Sequence, residues 1–242
     1  MTMRSIRRTK NTRCRAFTRE REAGCEYSQR WQKPDSDDTR EYNMIGHSPS
    51  AMRNRGPIFE TLSPLIEPGE RVLEIGSGTA THALHFCRQR SDIRWQPSEH
   101  PSMLAQLEQA LVAAAAPDNI AAPLAIDVHA RPWGLPETPS LVYTSNTLHM
   151  MPMSGVQALF EEAARLLADT GNGRLCVYGP MAIGGRHVSE GNRAFDRELR
   201  AAGDGRGIRD LDELNALAGH SGLVVAEVFE MPANNRLVAW SS

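Results

Sequence analysis

The sequence predicts a doubly wound α/β fold: seven strands in a mostly parallel sheet, helices on both faces, and an antiparallel hairpin as the last pair. Three observations predict it. From residue 55 onward, short apolar runs rich in strand formers alternate with helix-length amphipathic runs, the pattern of strand–helix–strand crossovers. A glycine turn, Gly76-Ser77-Gly78, follows the first strand and opens a helix. The last two strands, residues 223–229 and 236–240, are joined only by the segment EMPANN. A crossover to a parallel neighbour needs about a dozen residues, so this pair must run antiparallel.

The elements follow in order. Residues 55–66 (RGPIFETLSPLI) place Ile58, Leu62, Leu65 and Ile66 at helical spacing, with Pro64 expected to kink or end the helix. A turn at 67–70 leads into the first strand, 71–75 (RVLEI), and a helix covers 79–90. The second strand is 93–96. An alanine-rich helix over 102–116 is stopped by Pro117-Asp118-Asn119. The third strand is 122–128, the fourth is 140–145 (SLVYTS), and a helix at 155–167 follows. The fifth strand, 174–178 (RLCVY), precedes a glycine-rich stretch read as flexible, then helices at 189–200 and 211–218.

The length of 242 residues suits one large domain with an extension. Residues 42–242 are assigned to that domain. Residues 1–41 read as a basic extension and linker, either a poorly ordered tail or a targeting segment. Residues 1–40 hold 11 Lys or Arg against 6 Asp or Glu, whereas the rest holds 16 against 23. The body is mildly acidic and offers no nucleic-acid stripe. No apolar run approaches a membrane span, and a cytoplasmic location is expected. Cys14, Cys25, Cys87 and Cys176 form no paired motif, and His82 and His85 lack an assignable third ligand, so no metal site is expected. Monomer and homodimer both stay open.

Ligands of open α/β sheets bind beyond the carboxyl ends of the strands, where the strand order reverses. That places the candidate site at Glu74, Gly76 and Gly78. Two glycines allow a tight turn and close backbone approach, but Thr81 stands where a dinucleotide fingerprint wants its third glycine. A carboxylate at Glu74 is a poor neighbour for a pyrophosphate. It suits the ammonium of an amino-acid tail, directly or through water. Glu99, just past the second strand, can accept hydrogen bonds from both hydroxyls of a ribose. Asp127, near the end of the third strand, either accepts from an adenine amino group or caps its own turn.

The pattern VLEIGSGTATHALHF resembles the first motif of class I S-adenosylmethionine-dependent methyltransferases. More narrowly, the chain resembles the DUF938 proteins, which include the methyltransferase-like 26 proteins of animals. The matching pieces are collinear: HSPSAMRNRGPI, RVLEIGSGTATHALHF, WQPSE, LAIDV, SNTLHMMP, VYGP, SEGNRAFDRELR, GIRDLDEL and EMPANN. Residues 1–40 lie largely outside them. The resemblance implies the class I methyltransferase variant of the doubly wound sheet, with the seventh strand antiparallel between the fifth and sixth. It implies S-adenosyl-L-methionine as cofactor near Glu74, Gly76, Gly78, Glu99, Asp127 and Asn146. One departure is visible: this chain reads Ser189-Glu190-Gly191-Asn192 where the family usually has a second serine before the asparagine.

Methyl transfer requires an acceptor lone pair in line with the sulfonium methyl, and holding that geometry supplies much of the rate. A base is required only if the acceptor sheds a proton. Asn146 and His149, beyond the fourth strand, are the candidate catalytic residues. His149 is either a base or a satisfied structural histidine. Met150, Met151 and Met153 either line a soft pocket or pack the next helix. Candidate acceptor-binding residues are Arg53 and Asn54 before the first helix, then Tyr178, Ser189, Asn192, Asp196 and Arg209, the insert expected to build the acceptor pocket. Asn234 and Asn235 turn the final hairpin. The expected acceptor is an unidentified small molecule. A non-catalytic protein binding S-adenosylmethionine or S-adenosylhomocysteine is the alternative. An NAD(P)-dependent oxidoreductase is opposed by Thr81, Glu74 and the terminal hairpin. Ser77 does not sit in a GxSxG elbow, which argues against hydrolysis.

Overall fold

The computed structural model describes residues 48–242. The reading of residues 1–41 as a basic extension, and the contribution of His47 to the first matching segment, lie outside the described residues.

Helix α1 (Pro49–Leu62) starts with Pro at its first position, where the missing N–H costs nothing. It begins earlier than the apolar spacing indicates and accommodates Pro57 in its interior; Pro64 falls in a 3-10 turn after it. Then come β1 (Arg71–Ile75), α2 (Thr81–Gln89), β2 (Arg94–Glu99), α3 (Leu104–Ala113) and β3 (Leu124–Ala125). Strand β3 is two residues long where seven were expected. It lies at the sheet edge, and Pro123 has no N–H for a ladder. Next are β4 (Leu141–Ser145), α4 (Met153–Leu167) and β5 (Arg174–Ile183). Beyond Tyr178, β5 continues as strand where a flexible stretch was expected. Gly179 and Pro180 pair with Arg236 and Asn235, and the chain turns only at Gly184-Gly185, both left-handed. The remainder is β6 (Arg186–His187), α5 (Glu190–Ala201), β7 (Arg209–Asp210), α6 (Leu211–His220), β8 (Val224–Met231) and β9 (Asn235–Ser241).

The sheet order is β3-β2-β1-β4-β5-β9-β8, with β6 and β7 attached to the far end of β5. Strands β1 to β5 run parallel, and β9 is antiparallel to both β5 and β8. The final strand therefore inserts between its predecessor and β5. This is the class I methyltransferase arrangement of the doubly wound sheet.

Two cores sandwich the sheet. On one face, Ile58 and Leu62 of α1, Leu84 and Phe86 of α2 and Leu107 of α3 pack on Val72, Trp95, Tyr143 and Tyr178. On the other, Val156, Leu159 and Phe160 of α4 and Leu214 of α6 pack on Leu73, Val142, Val177 and Trp240. Alternation along β1 sends Glu74 to the first face and Leu73 and Ile75 to the second. The connection from β3 to β4 is irregular and carries no crossover helix. Trp133 plugs part of the second face there, its backbone N–H donating to Glu162 Oε1 at 2.9 Å.

Candidate functional site

The strand order reverses between β1 and β4, and the chain segments leaving these strands meet there. Gly76 and Ser77 donate their N–H groups to the Ser98 carbonyl at 3.1 and 2.9 Å, which draws the glycine turn across the end of β2. Gly76 has φ +74°, and a Cβ built on it would lie 2.9 Å from Thr147 Oγ1. Both the conformation and the approach of the post-β4 loop therefore exclude a side chain at Gly76. Gly78 also has positive φ, but nothing lies within 4 Å of its would-be Cβ. Its open side faces free space.

Glu99 accepts from the Gly78 N–H at 2.7 Å through Oε2 and from the His100 N–H at 2.9 Å through Oε1. These bonds fix the carboxylate at the glycine turn, half-buried, with lone pairs to spare. Asp127 is half-buried on the neighbouring strand end. Its Oδ1 accepts from His129 N–H at 2.9 Å, so the turn-capping role is present, and Oδ2 accepts no hydrogen bond among the described residues. Asn146 leaves β4 in the left-handed region, φ +56°, tied by its N–H to the Tyr178 carbonyl at 2.9 Å. Asparagine tolerates that conformation, which at strand ends marks a position worth a functional reading. Its Oδ1 is 3.8 Å from a Cβ built on Gly179.

Glu74, expected to serve a ligand ammonium directly or through water, lies beneath the glycine turn. It is 1% exposed, with Oε2 accepting from Trp95 Nε1 at 3.0 Å and Oε1 facing His82 Nδ1 at 3.6 Å. Its negative charge adds to burial in pushing the Cys87 thiol up to about 12 and the Tyr143 phenol upward. The carboxylate thus braces the floor beneath the turn. The spacing of the sequence missed one member of that turn: Ala80, fully buried with φ +58°, caps α2. The signal was present as a small residue recurring at 76, 78 and 80.

The candidate acceptor residues divide. Arg53 and Asn54 lie within α1 instead of before it: Arg53 is exposed on its second turn, its charge reaching Tyr178, and Asn54 is half-buried beside it. Tyr178 itself is buried, its hydroxyl accepting from Asn235 Nδ2 at 3.0 Å, and burial drives the phenol well above its ordinary value. Ser189 caps α5, accepting from Asn192 N–H at 3.1 Å, and Asn192 Nδ2 reaches the Asn234 carbonyl at 3.4 Å. A Cβ at Gly191 would meet only Ser189 Oγ at 3.8 Å, so the family's serine has room there.

Asp196 and Arg209, read as acceptor contacts, are held by partners within the insert and the turn after β4. Asp196 is buried, accepting from Ile208 N–H and Arg200 Nε, both at 2.7 Å, with His187 Nε2 at 3.2 Å. Arg209 is buried and donates to the carbonyls of Leu148, Met151 and Gly205. These bonds hold the 3-10 turn that carries His149. His149 is 7% exposed and stacks edge-to-face on Phe195 of α5 at 5.3 Å. Burial first, and the Arg209 charge second, depress its pKa to about 4. It is neutral near pH 7. Met151 packs against Gly155, whereas Met150 and Met153 are exposed.

Residues 46–242 match a family described as "Protein of unknown function (DUF938)". The chain belongs to this DUF938 family. The fold is shared with solved structures of methyltransferases. An O-methyltransferase family 2 protein from Planctomyces limnophilus DSM 3776, solved in complex with apigenin, has 18% identity and a TM-score of 0.68, over 87% of this chain and 62% of that one. The pyocyanin biosynthetic protein PhzM has 16% identity and a TM-score of 0.63, over 82% and 60%. PigF, solved with SAH, has 18% identity and a TM-score of 0.64, over 85% and 67%. The chain spans under two thirds of the length of the first two. These likenesses establish a strong structural resemblance to S-adenosylmethionine-dependent methyltransferases, at the level of the fold.

Proposed function

We propose that this DUF938 protein binds S-adenosyl-L-methionine at the carboxyl ends of β1, β2 and β3 and transfers its methyl group to a small-molecule acceptor. The observation that carries the reading is the Glu99 carboxylate anchored on the Gly78 N–H, at the reversal point of a sheet whose last strand inserts antiparallel. Glu99 would accept from the ribose hydroxyls, and the remaining oxygen of Asp127 from the adenine amino group. The open side of Gly78 leaves room for the nucleoside. When bound, the cofactor supplies an electrophilic methyl group on a sulfonium.

This chain's own residues would orient the acceptor. Asn146 stands next to the reaction centre and can hold a polar acceptor atom. His149, neutral near pH 7, can take a proton from an acceptor hydroxyl once the Phe195 contact opens. Arg53 offers an exposed cation at the same end. A nicotinamide role is opposed by Thr81 and by the insertion of β9. Catalytic silence is the second reading, favoured by the burial of His149: the protein would then bind the cofactor without transferring its methyl group.

Calorimetric titration with S-adenosylmethionine, with NAD as control, tests the site. Saturable heat from the former alone is expected. No heat with a folded sample refutes the reading. S-adenosylhomocysteine formation over a panel of hydroxylated aromatic and aliphatic acceptors then separates the two readings.

A further inference from the structure

Where the β3–β4 connection lacks a helix, a cavity of about 400 Å³ opens at the amino ends of β1 and β2, the end opposite the candidate cofactor site. Its apolar wall includes Leu73, Leu135, Pro136 and Pro139. Four charged residues ring it: Arg71, Arg94, Asp118 and Glu137. Arg71 and Glu137 neutralise one another, Nε to Oε2 at 2.6 Å. The guanidinium of Arg94 and the carboxylate of Asp118 make no ion pair or side-chain hydrogen bond among the described residues, and both are exposed. The lining thus holds one uncommitted cation and one uncommitted anion together with apolar side chains. The volume lies within the range of small-molecule sites.

We propose that this cavity is a second binding site, for a small zwitterion with an apolar body, of the chemistry of an apolar α-amino acid. The ligand carboxylate pairs with Arg94, its ammonium with Asp118, and its side chain enters the space over Leu73. A simple anion would gain from Arg94 but face Asp118, and a simple cation the reverse. The site stands at the opposite end of these strands and does not depend on methyl transfer.

The test is an amide-shift NMR titration of the full chain with L-phenylalanine. 3-Phenylpropionate and phenethylamine serve as the two half-charged probes. Saturable shifts at Leu73, Gln96 and Ala121 are expected, with L-phenylalanine binding roughly three- to tenfold tighter than either half, since exposed ion pairs are individually weak. In R94A, L-phenylalanine should bind no better than phenethylamine. In D118A, it should bind no better than 3-phenylpropionate. Both side chains are exposed, so the fold should survive either change. Saturating S-adenosylhomocysteine should leave the titration unchanged. Absence of saturable shifts overturns the proposal. So does equal binding of all three probes, unchanged preferences in the two variants, or shifts centred on Gly78 and Glu99.

Discussion

Glu99 Oε2 lies 2.7 Å from the backbone nitrogen of Gly78, twenty-one residues earlier in the chain. This bond joins two strand ends and turns a flexible acid into a fixed acceptor. Replacing Glu99 by Ala removes the acceptor but leaves Gly78 N–H at a solvent-accessible turn, so the fold should change little. Loss of charge-assisted hydrogen bonds of about 1.5–3 kcal/mol should weaken S-adenosylmethionine roughly ten- to a hundredfold. Calorimetry measures the affinity, and urea unfolding checks that stability moves by less than about 1 kcal/mol.

His149 should make stability fall in acid. Its folded pKa of about 4 lies below the ordinary imidazole value of 6.5. Between these values the unfolded chain binds more protons than the folded one, so stability rises with pH and levels off above the unfolded value. The penalty is fully developed below the folded pKa and amounts to roughly 3 kcal/mol by linkage. Urea midpoints measured from pH 4 to 7 should show this slope, and His149→Gln should flatten it. A variant that keeps the full slope would refute the assignment.

The parallel strands and the terminal hairpin were legible because residue type and segment length decide them locally. The glycine turn was legible for the same reason. What the apolar pattern could not reveal were partners distant in sequence. Glu74 reads as a ligand contact beside its turn, but strand alternation aims it into the core, where Trp95 and His82 receive it. Asp196 and Arg209 read as pocket residues because they are polar in an insert. Their burial follows from Ile208 and the turn at 148–151 folding back onto them. The length of β5 was hidden by Gly179-Pro180, a breaker pair that β9 nevertheless pairs.

Arg209 should matter for stability more than an insert residue would suggest. Arg209→Ala strands three carbonyls of the Leu148–Met151 turn and the Gly205 loop. Of the three, Leu148 is buried, Met151 half-buried and Gly205 exposed, so one stranded buried acceptor sets an expected net loss of about 1–3 kcal/mol. Removing this cation also lifts the smaller of the two causes that depress His149, so its pKa should rise. Proton NMR of the imidazole follows that rise, and urea unfolding follows the stability.

Gly76 and Thr147 offer a test of why the turn is closed. In Gly76→Ala the new methyl meets Thr147 Oγ1 at 2.9 Å and Cγ2 at 3.0 Å, and φ +74° adds strain. The two together should cost about 2–4 kcal/mol and weaken cofactor binding. Thr147→Ala removes both clashing atoms and leaves only Cβ, at 3.6 Å. The double variant should therefore recover the steric part and retain a residual strain of about 1–2 kcal/mol. A favourable coupling energy of roughly 1–2 kcal/mol in the double-mutant cycle is expected. Strict additivity would mean that Gly76 is required for its conformation alone, and that the loop after β4 gives way freely.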